Sequence, residues 1–252
     1  IYSAPSGAGK TRYMVGNACA ISMPYIDKNG QVVMRGDING SDYQKVLFVA
    51  TEMTADEIQT LILAYVSNVN EKTILLGNYT PDELDRVKQA LDIIDNYGKN
   101  FIIECIPDPS IAMIKARLTK YIVQDGVEFI FYDYIFTSPS LITEFASADV
   151  KEYVALMMLS NTLKEIAMNY KVFIQSATQF NEGWSKKEIG LRDQNCLRGS
   201  KAIADKIDIG LIGVRLGEEE HKQIDAIWTE LKKQNPGKYT NDPNIVIDVY
   251  KN

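Results

Sequence analysis

Near the start of the chain, Ala4-Pro5-Ser6-Gly7-Ala8-Gly9-Lys10-Thr11 carries the residue types needed to hold a phosphate. Small residues let successive backbone N–H groups turn inward around an anion, at the head of a helix whose dipole favours negative charge. In this Walker A pattern, with alanine in the leading position, the lysine reaches β- and γ-phosphates and the threonine offers a hydroxyl to Mg²⁺. An apolar helix is predicted from about Arg12. The nucleotide-binding set read from this stretch is Ser6, Gly7, Ala8, Gly9, Lys10, Thr11 and Arg12, with ATP and Mg²⁺ as the ligands.

A phosphate loop needs a second acid to hold the metal. Phe129-Ile130-Phe131-Tyr132-Asp133 is an apolar strand ending in aspartate, and ligands of parallel sheets bind at the carboxyl ends of strands. Thr11 and Asp133 are therefore the expected metal holders. Glu52 follows the strand Val46–Ala50 and belongs at the same kind of edge. A carboxylate there can deprotonate the water that attacks the γ-phosphate. It could equally serve the helix start at Thr54-Ala55-Asp56-Glu57 as a cap. A polar strand-end residue that senses the γ-phosphate is also expected, and Gln175 and Gln179 are both available.

These residues must be positioned by a scaffold, and 252 residues are enough for one domain with a sizeable core. Apolar, β-rich runs alternate with longer helical patterns, the signature of βαβ units and a mostly parallel sheet. Predicted strands are Val46–Ala50, Phe101–Cys105 and residues 129–132, 172–176, 209–214, 224–231 and 244–250. Thr80-Pro81-Asp82-Glu83 is a capping box with proline at the first helical position, opening a helix to about Tyr97. Residues 110–124 and 150–169 carry apolar residues at three-to-four spacing and read as amphipathic helices. Residues 27–44, with Asn29-Gly30 and Asn39-Gly40, read as a hairpin-like excursion, and residues 181–195 as a polar loop.

The bulk numbers narrow the function. The chain is 46% apolar and 24% charged, with a net charge of −6, so its whole surface does not coat nucleic acid or membrane. A local basic channel is compatible with that balance. Three cysteines without metal-type spacing, Cys19, Cys105 and Cys196, read as reduced thiols of a cytoplasmic protein. The single histidine, His221, sits in a charged run and leaves no histidine triad or cluster. No apolar run approaches the ~20 residues that span a bilayer, so no membrane partner is expected. Only three residues precede the phosphate loop, about half a strand. An N-terminal part of the natural protein upstream of this single domain, residues 1–252, is therefore expected.

Together these motifs resemble those of the DnaB family, the hexameric replicative helicases of bacteria and their phages. The phosphate loop is similar to that family's. Val46-Leu47-Phe48-Val49-Ala50-Thr51-Glu52-Met53-Thr54 resembles its strand ending in serine-leucine-glutamate-methionine-serine, whose glutamate is the catalytic base. Ile106-Pro107-Asp108-Pro109-Ser110-Ile111, followed by Ile114-Lys115-Ala116-Arg117, is similar to its lead-in helix. Phe131-Tyr132-Asp133-Tyr134-Ile135 resembles its isoleucine-aspartate-tyrosine-leucine segment. Ser176-Ala177-Thr178-Gln179-Phe180-Asn181 resembles leucine-serine-glutamine-leucine-asparagine, which implies that Gln179 is the sensor rather than Gln175.

Leu197-Arg198-Gly199-Ser200-Lys201-Ala202-Ile203 resembles the leucine-arginine-x-serine-glycine segment that, with the loop before it, grips single-stranded DNA in the family's central pore. The resemblance thus implies DNA contacts from Lys186, Lys187, Arg198, Gly199 and Lys201. On charge alone, this basic cluster, which includes Arg192, also reads as an ordinary solvated loop. Trp184 within it could stack on a base or simply pack.

Two departures stand out: the 27–44 excursion is longer than the family usually shows, and a neighbour-reaching arginine is missing. Leu231-Lys232-Lys233-Gln234-Asn235-Pro236-Gly237 resembles lysine-glutamine-arginine-asparagine-glycine, whose lysine and arginine reach the adjacent subunit's γ-phosphate. Here Lys232 matches the lysine, while Gln234 stands at the arginine. The trans contact then falls to Lys232 or Lys233, or hydrolysis is slow.

The resemblance implies a RecA-like α/β fold with a twisted, mainly parallel sheet flanked by helices. It implies the ATPase motor of a ring, a hexamer in the family, that moves on single-stranded DNA, with primase and a helicase loader as possible partners. Another RecA-like ATPase, of the recombinase or clock and signalling type, is the alternative. A small-molecule kinase would need an arginine-rich lid, and the sequence carries none.

Overall fold

A computed structural model describes residues 1–34, 43–144, 152–181, 194–197, 203, 206–235 and 243–251. In chain order the elements are β1 (Tyr2–Ala4), α1 (Lys10–Ser22), β2 (Tyr25–Ile26), β3 (Val32–Val33), β4 (Val46–Ala50), α2 (Ala55–Ser67) and α3 (Glu71–Leu76). There follow α4 (Pro81–Tyr97), β5 (Phe101–Cys105), α5 (Ile111–Asp125), β6 (Phe129–Asp133), α6 (Pro139–Glu144) and α7 (Glu152–Tyr170). The last are β7 (Phe173–Gln179), β8 (Gly210–Arg215), α8 (Glu218–Gln234) and β9 (Ile245–Lys251). The fold is α/β with a mainly parallel sheet, since among the described pairings only β2–β3 and β8–β9 are antiparallel.

The chain divides into two compact units, residues 11–177 and residues 1–10 with 178–252. In the first unit, β4 lies between β5 and β6, and β6 pairs onward with β7, all parallel. Every residue of β4 is buried, as a strand covered on both faces requires. Alternate residues Val46, Phe48 and Ala50 join Phe131 and the apolar stripes of α1, α2 and α4 in one core. Phe48 sits directly across the ladder from Phe131, their rings nearly parallel at 6.4 Å.

Local sequence explains the helices. Thr54 caps α2 and Thr80 caps α4, each in a reciprocal box with a glutamate three residues on. The Thr54 backbone N–H and then its hydroxyl donate to Glu57, which holds that carboxyl below its ordinary range. The Asn29-Gly30 turn is part of the connection between β2 and β3, where Asp27 N–H donates to the Gln31 carbonyl at 2.9 Å. Asn39-Gly40 lies outside the described residues.

In the second unit, β1 pairs parallel with β8, and β8 antiparallel with β9. Gly213 of β8 is needed here: a Cβ would fall 2.0 Å from the Tyr2 hydroxyl oxygen, and Tyr2 is fully buried. One expected strand is not a strand. Residues 224–231 lie inside α8, because Ile224, Ile227, Trp228 and Leu231 follow the i, i+3, i+4, i+7 spacing of a helical face. The β-favouring residue types in this run compete with that spacing. The other element boundaries differ by about one or two residues, except that β7 runs three residues further, to Gln179.

Candidate functional site

The phosphate loop leaves β1, whose three residues are all buried, and turns through Pro5–Ala8 with the Ala8 N–H donating to the Pro5 carbonyl at 3.2 Å. Gly7 and Gly9 adopt φ of 70° and 86°, values that side-chain-bearing residues rarely take. A Cβ built on either meets nothing within 4 Å, so both positions face open space. The helix begins at Lys10, two residues before the expected start, and Lys10 is only 8% exposed. Its Nζ donates back to the Pro5 carbonyl at 3.2 Å, which folds the ammonium over the loop. Thr11 follows in the first turn of α1.

Arg12 points elsewhere. Its Nε donates to Glu71 Oε2 of α3 at 2.9 Å, and the pair borders a cavity of about 560 Å³ lined also by Val15, Leu61, Tyr65 and Leu75. The structure thus ties Arg12, the one charged residue after Thr11 within α1, to a neighbouring helix of the same unit.

The acidic residues come together at the adjacent ends of β4 and β6. Ala50 lies opposite Asp133 in the ladder, so Thr51 and Glu52 follow directly beside Asp133 and Tyr134. Thr51, 4% exposed, links the two strand ends: its N–H and its hydroxyl donate to the Asp133 carbonyl at 2.9 and 2.8 Å. The same hydroxyl oxygen accepts the Tyr134 N–H at 3.1 Å. The Asp133–Tyr134 peptide is cis. Asp133 is 5% exposed, whereas Glu52 is exposed and accepts the Tyr134 phenol on Oε1 at 2.9 Å. Capping of α2 belongs to Thr54, so Glu52 is not its N-cap.

Thr51→Val keeps the shape and removes the hydroxyl that serves both strand ends. It is expected to lower unfolding free energy by about 1–3 kcal/mol, measured by urea denaturation.

The two glutamines of β7 separate. Gln175 lies opposite Phe131 within the ladder and accepts the Asn17 Nδ2–H of α1 at 3.2 Å, while Gln179 is the last residue of the strand. Beyond it, Asn181 N–H donates to the Cys196 carbonyl at 2.8 Å, and Phe180 pairs with Leu197. This ladder closes the neck of the expected 181–195 loop. Trp184, Lys186, Lys187, Arg192, Arg198, Gly199 and Lys201 lie outside the described residues. Lys232 sits in the last turn of α8, with its Nζ 5.9 Å from the centroid of the Trp228 ring.

Thr51 and Tyr134 carry the geometry around Glu52, and neither is marked for a role by its place in the sequence. Their contact partners are 82 and 83 residues away along the chain, so only the strand pairing brings them together.

The residues present fit a Mg-nucleotide. Taken unit by unit, the Gly7 and Gly9 positions that face open space suit a phosphate, and residues 11–177 hold a threonine hydroxyl and a buried aspartate carboxylate, hard oxygen donors of the kind Mg²⁺ prefers. Among the described residues no three His, Cys, Asp or Glu side chains gather. A metal here would draw its remaining ligands from phosphates and water, as Mg²⁺ commonly does.

A phosphate loop heading a helix and an acid-tipped parallel strand define a P-loop fold. The chain belongs to the DnaB-like helicase C-terminal domain family, whose family model matches residues 1–241. It is 35% identical over 99% of its length to the SPbeta prophage-derived uncharacterized protein YorI of Bacillus subtilis (strain 168). It is 22% identical to the replicative DNA helicase DnaC of the same organism and 20% identical to DnaB of Geobacillus stearothermophilus, over 66% of the chain in each case. The chain spans 48% of YorI and 35% of each helicase, about half or less of these curated relatives.

Two solved structures share the fold at a TM-score of 0.68 over 99% of this chain. One is a DnaB-like replicative helicase studied with its interactions with primase, at 16% identity and 51% of that chain. The other is the ATPase domain of G40P, at 15% identity and 75% of that chain.

Proposed function

We propose that this chain is the ATP-hydrolysing motor of a ring-forming DNA helicase, moving on single-stranded DNA as subunits hydrolyse ATP at their interfaces. Membership in the family supports a replicative-helicase type of ATPase domain. The observation that carries the finer reading is the pair of carboxylates at neighbouring strand ends. Asp133 is buried on β6, and Glu52 is exposed just past β4, joined through Thr51 and Tyr134. Two carboxylates in such different surroundings suit different tasks, one holding charge in place and one accepting a proton.

In this reading the loop N–H groups of Ser6–Gly9 and the Lys10 ammonium hold the β- and γ-phosphates. Thr11 and Asp133 hold Mg²⁺, which when bound offsets the charge that develops on the transferred phosphoryl group. Glu52 takes the proton of the attacking water, and Gln179 reads the γ-phosphate. Lys232 offers charge to a neighbouring subunit's nucleotide in place of the arginine that Gln234 does not supply. Lys186, Lys187, Arg198, Gly199 and Lys201 contact single-stranded DNA phosphates without regard to sequence. Arg12, the last of the nucleotide-binding set, pairs with Glu71 beside the first turn of α1. A primase is a proposed partner because a DnaB-like relative's solved structure concerns that interaction, and a helicase loader is proposed alongside it.

Unwinding separates this motor from a recombinase-like relative. The protein should displace the strand of a forked duplex with ATP, and Lys10→Ala should abolish displacement. Strand exchange on filaments without displacement would instead assign the chain to the other type.

A further inference from the structure

We propose that Tyr134 is a positioning residue for Glu52: its hydroxyl sets the carboxylate that activates water. The inference rests on the reading of Glu52 as the base. Glu52, just past a strand end, is exposed and has three rotatable bonds, so orienting it costs side-chain entropy. Proton transfer to it is efficient only if the carboxylate is already aimed, since small misplacements cost large factors in rate.

Tyr134 supplies that aim. Its phenol donates to Glu52 Oε1 at 2.9 Å, a charge-assisted bond, and leaves the chemistry of proton acceptance to the second oxygen.

The phenol can orient another group only if it is itself held. Its backbone N–H donates to Thr51 Oγ1, and the next residue, Ile135, donates to the Ala177 carbonyl at 2.9 Å. Its ring packs on the core cluster and lies 5.5 Å from Phe136, tilted by 44°. Thr51 therefore ties Tyr134 by its backbone to the residue before Glu52, and the phenol ties the same two segments by side chains. The two links make a closed loop of contacts around one carboxylate.

The test compares wild type, Tyr134→Phe, Glu52→Gln and the double variant for kcat and KM, with melting temperature and the Kd of a fluorescent ATP analogue measured on each. Tyr134→Phe removes one oxygen from a half-buried ring, so it folds. Its kcat is expected to fall roughly tenfold with KM and Kd changed less than about twofold, the pattern of lost orientation rather than lost binding. Added to Glu52→Gln, it should have no further effect. A normal kcat in Tyr134→Phe beside a crippled Glu52→Gln overturns the positioning role and leaves the base intact. A Tyr134→Phe loss that persists undiminished in the Glu52→Gln background makes the hydroxyl merely structural. Normal hydrolysis by Glu52→Gln removes the base reading and this inference with it.

Discussion

Glu52→Gln should lower steady-state ATP turnover at least about a hundredfold while nucleotide affinity stays near that of the wild type. The substitution keeps the side chain's length and its contact with the Tyr134 hydroxyl, but an amide does not accept a proton at neutral pH. Positioned general bases contribute about 10² to 10⁴ in rate, and the neighbouring carboxylate, Asp133, is buried where Glu52 is exposed. A single-turnover hydrolysis assay with a parallel binding titration checks it. Loss of binding rather than of turnover would move Glu52 from the chemistry to the nucleotide pocket.

Phe131→Ala should cost about 3–5 kcal/mol of stability, among the largest effects open to one substitution in this unit. Phe131 is fully buried on β6, stacked on Phe48 across the ladder and edge-on to Phe173 at 6.5 Å. Removing its ring leaves a void beneath the strand that ends in Asp133, in a protein whose whole margin is of the order of 5–15 kcal/mol. Chemical denaturation measures the loss directly. A cost under about 1 kcal/mol would mean that the ring stack does not organise this core.

Much of the scaffold was legible because its signals are local. A glycine-flanked lysine and threonine mark a phosphate loop, and the Thr80-Pro81-Asp82-Glu83 box marks a helix start that the structure repeats residue for residue. The apolar runs Val46–Ala50 and Phe101–Cys105 both appear as strands with the expected bounds, the first buried throughout and the second only partly. Family and fold were legible for the same reason, through motifs in a fixed order.

Where two local signals compete, the sequence alone does not decide between them. Residues 224–231 carry β-favouring types at helical spacing, and the spacing won once a partner face was available. Contacts over long sequence separation were invisible. Nothing in the string pairs Arg12 with Glu71, or Tyr134 with Glu52, because both depend on where packed elements bring distant residues. The two short helices α3 and α6, six residues each, are too brief to show a period.

ATP hydrolysis by this chain with and without single-stranded DNA tests the account most directly. The motor reading predicts that DNA raises turnover several-fold, and that the increase shrinks as salt rises, since phosphate contacts release counterions. Hydrolysis that proceeds at one rate whether or not DNA is present would contradict it, and would leave a RecA-like ATPase coupled to some other partner.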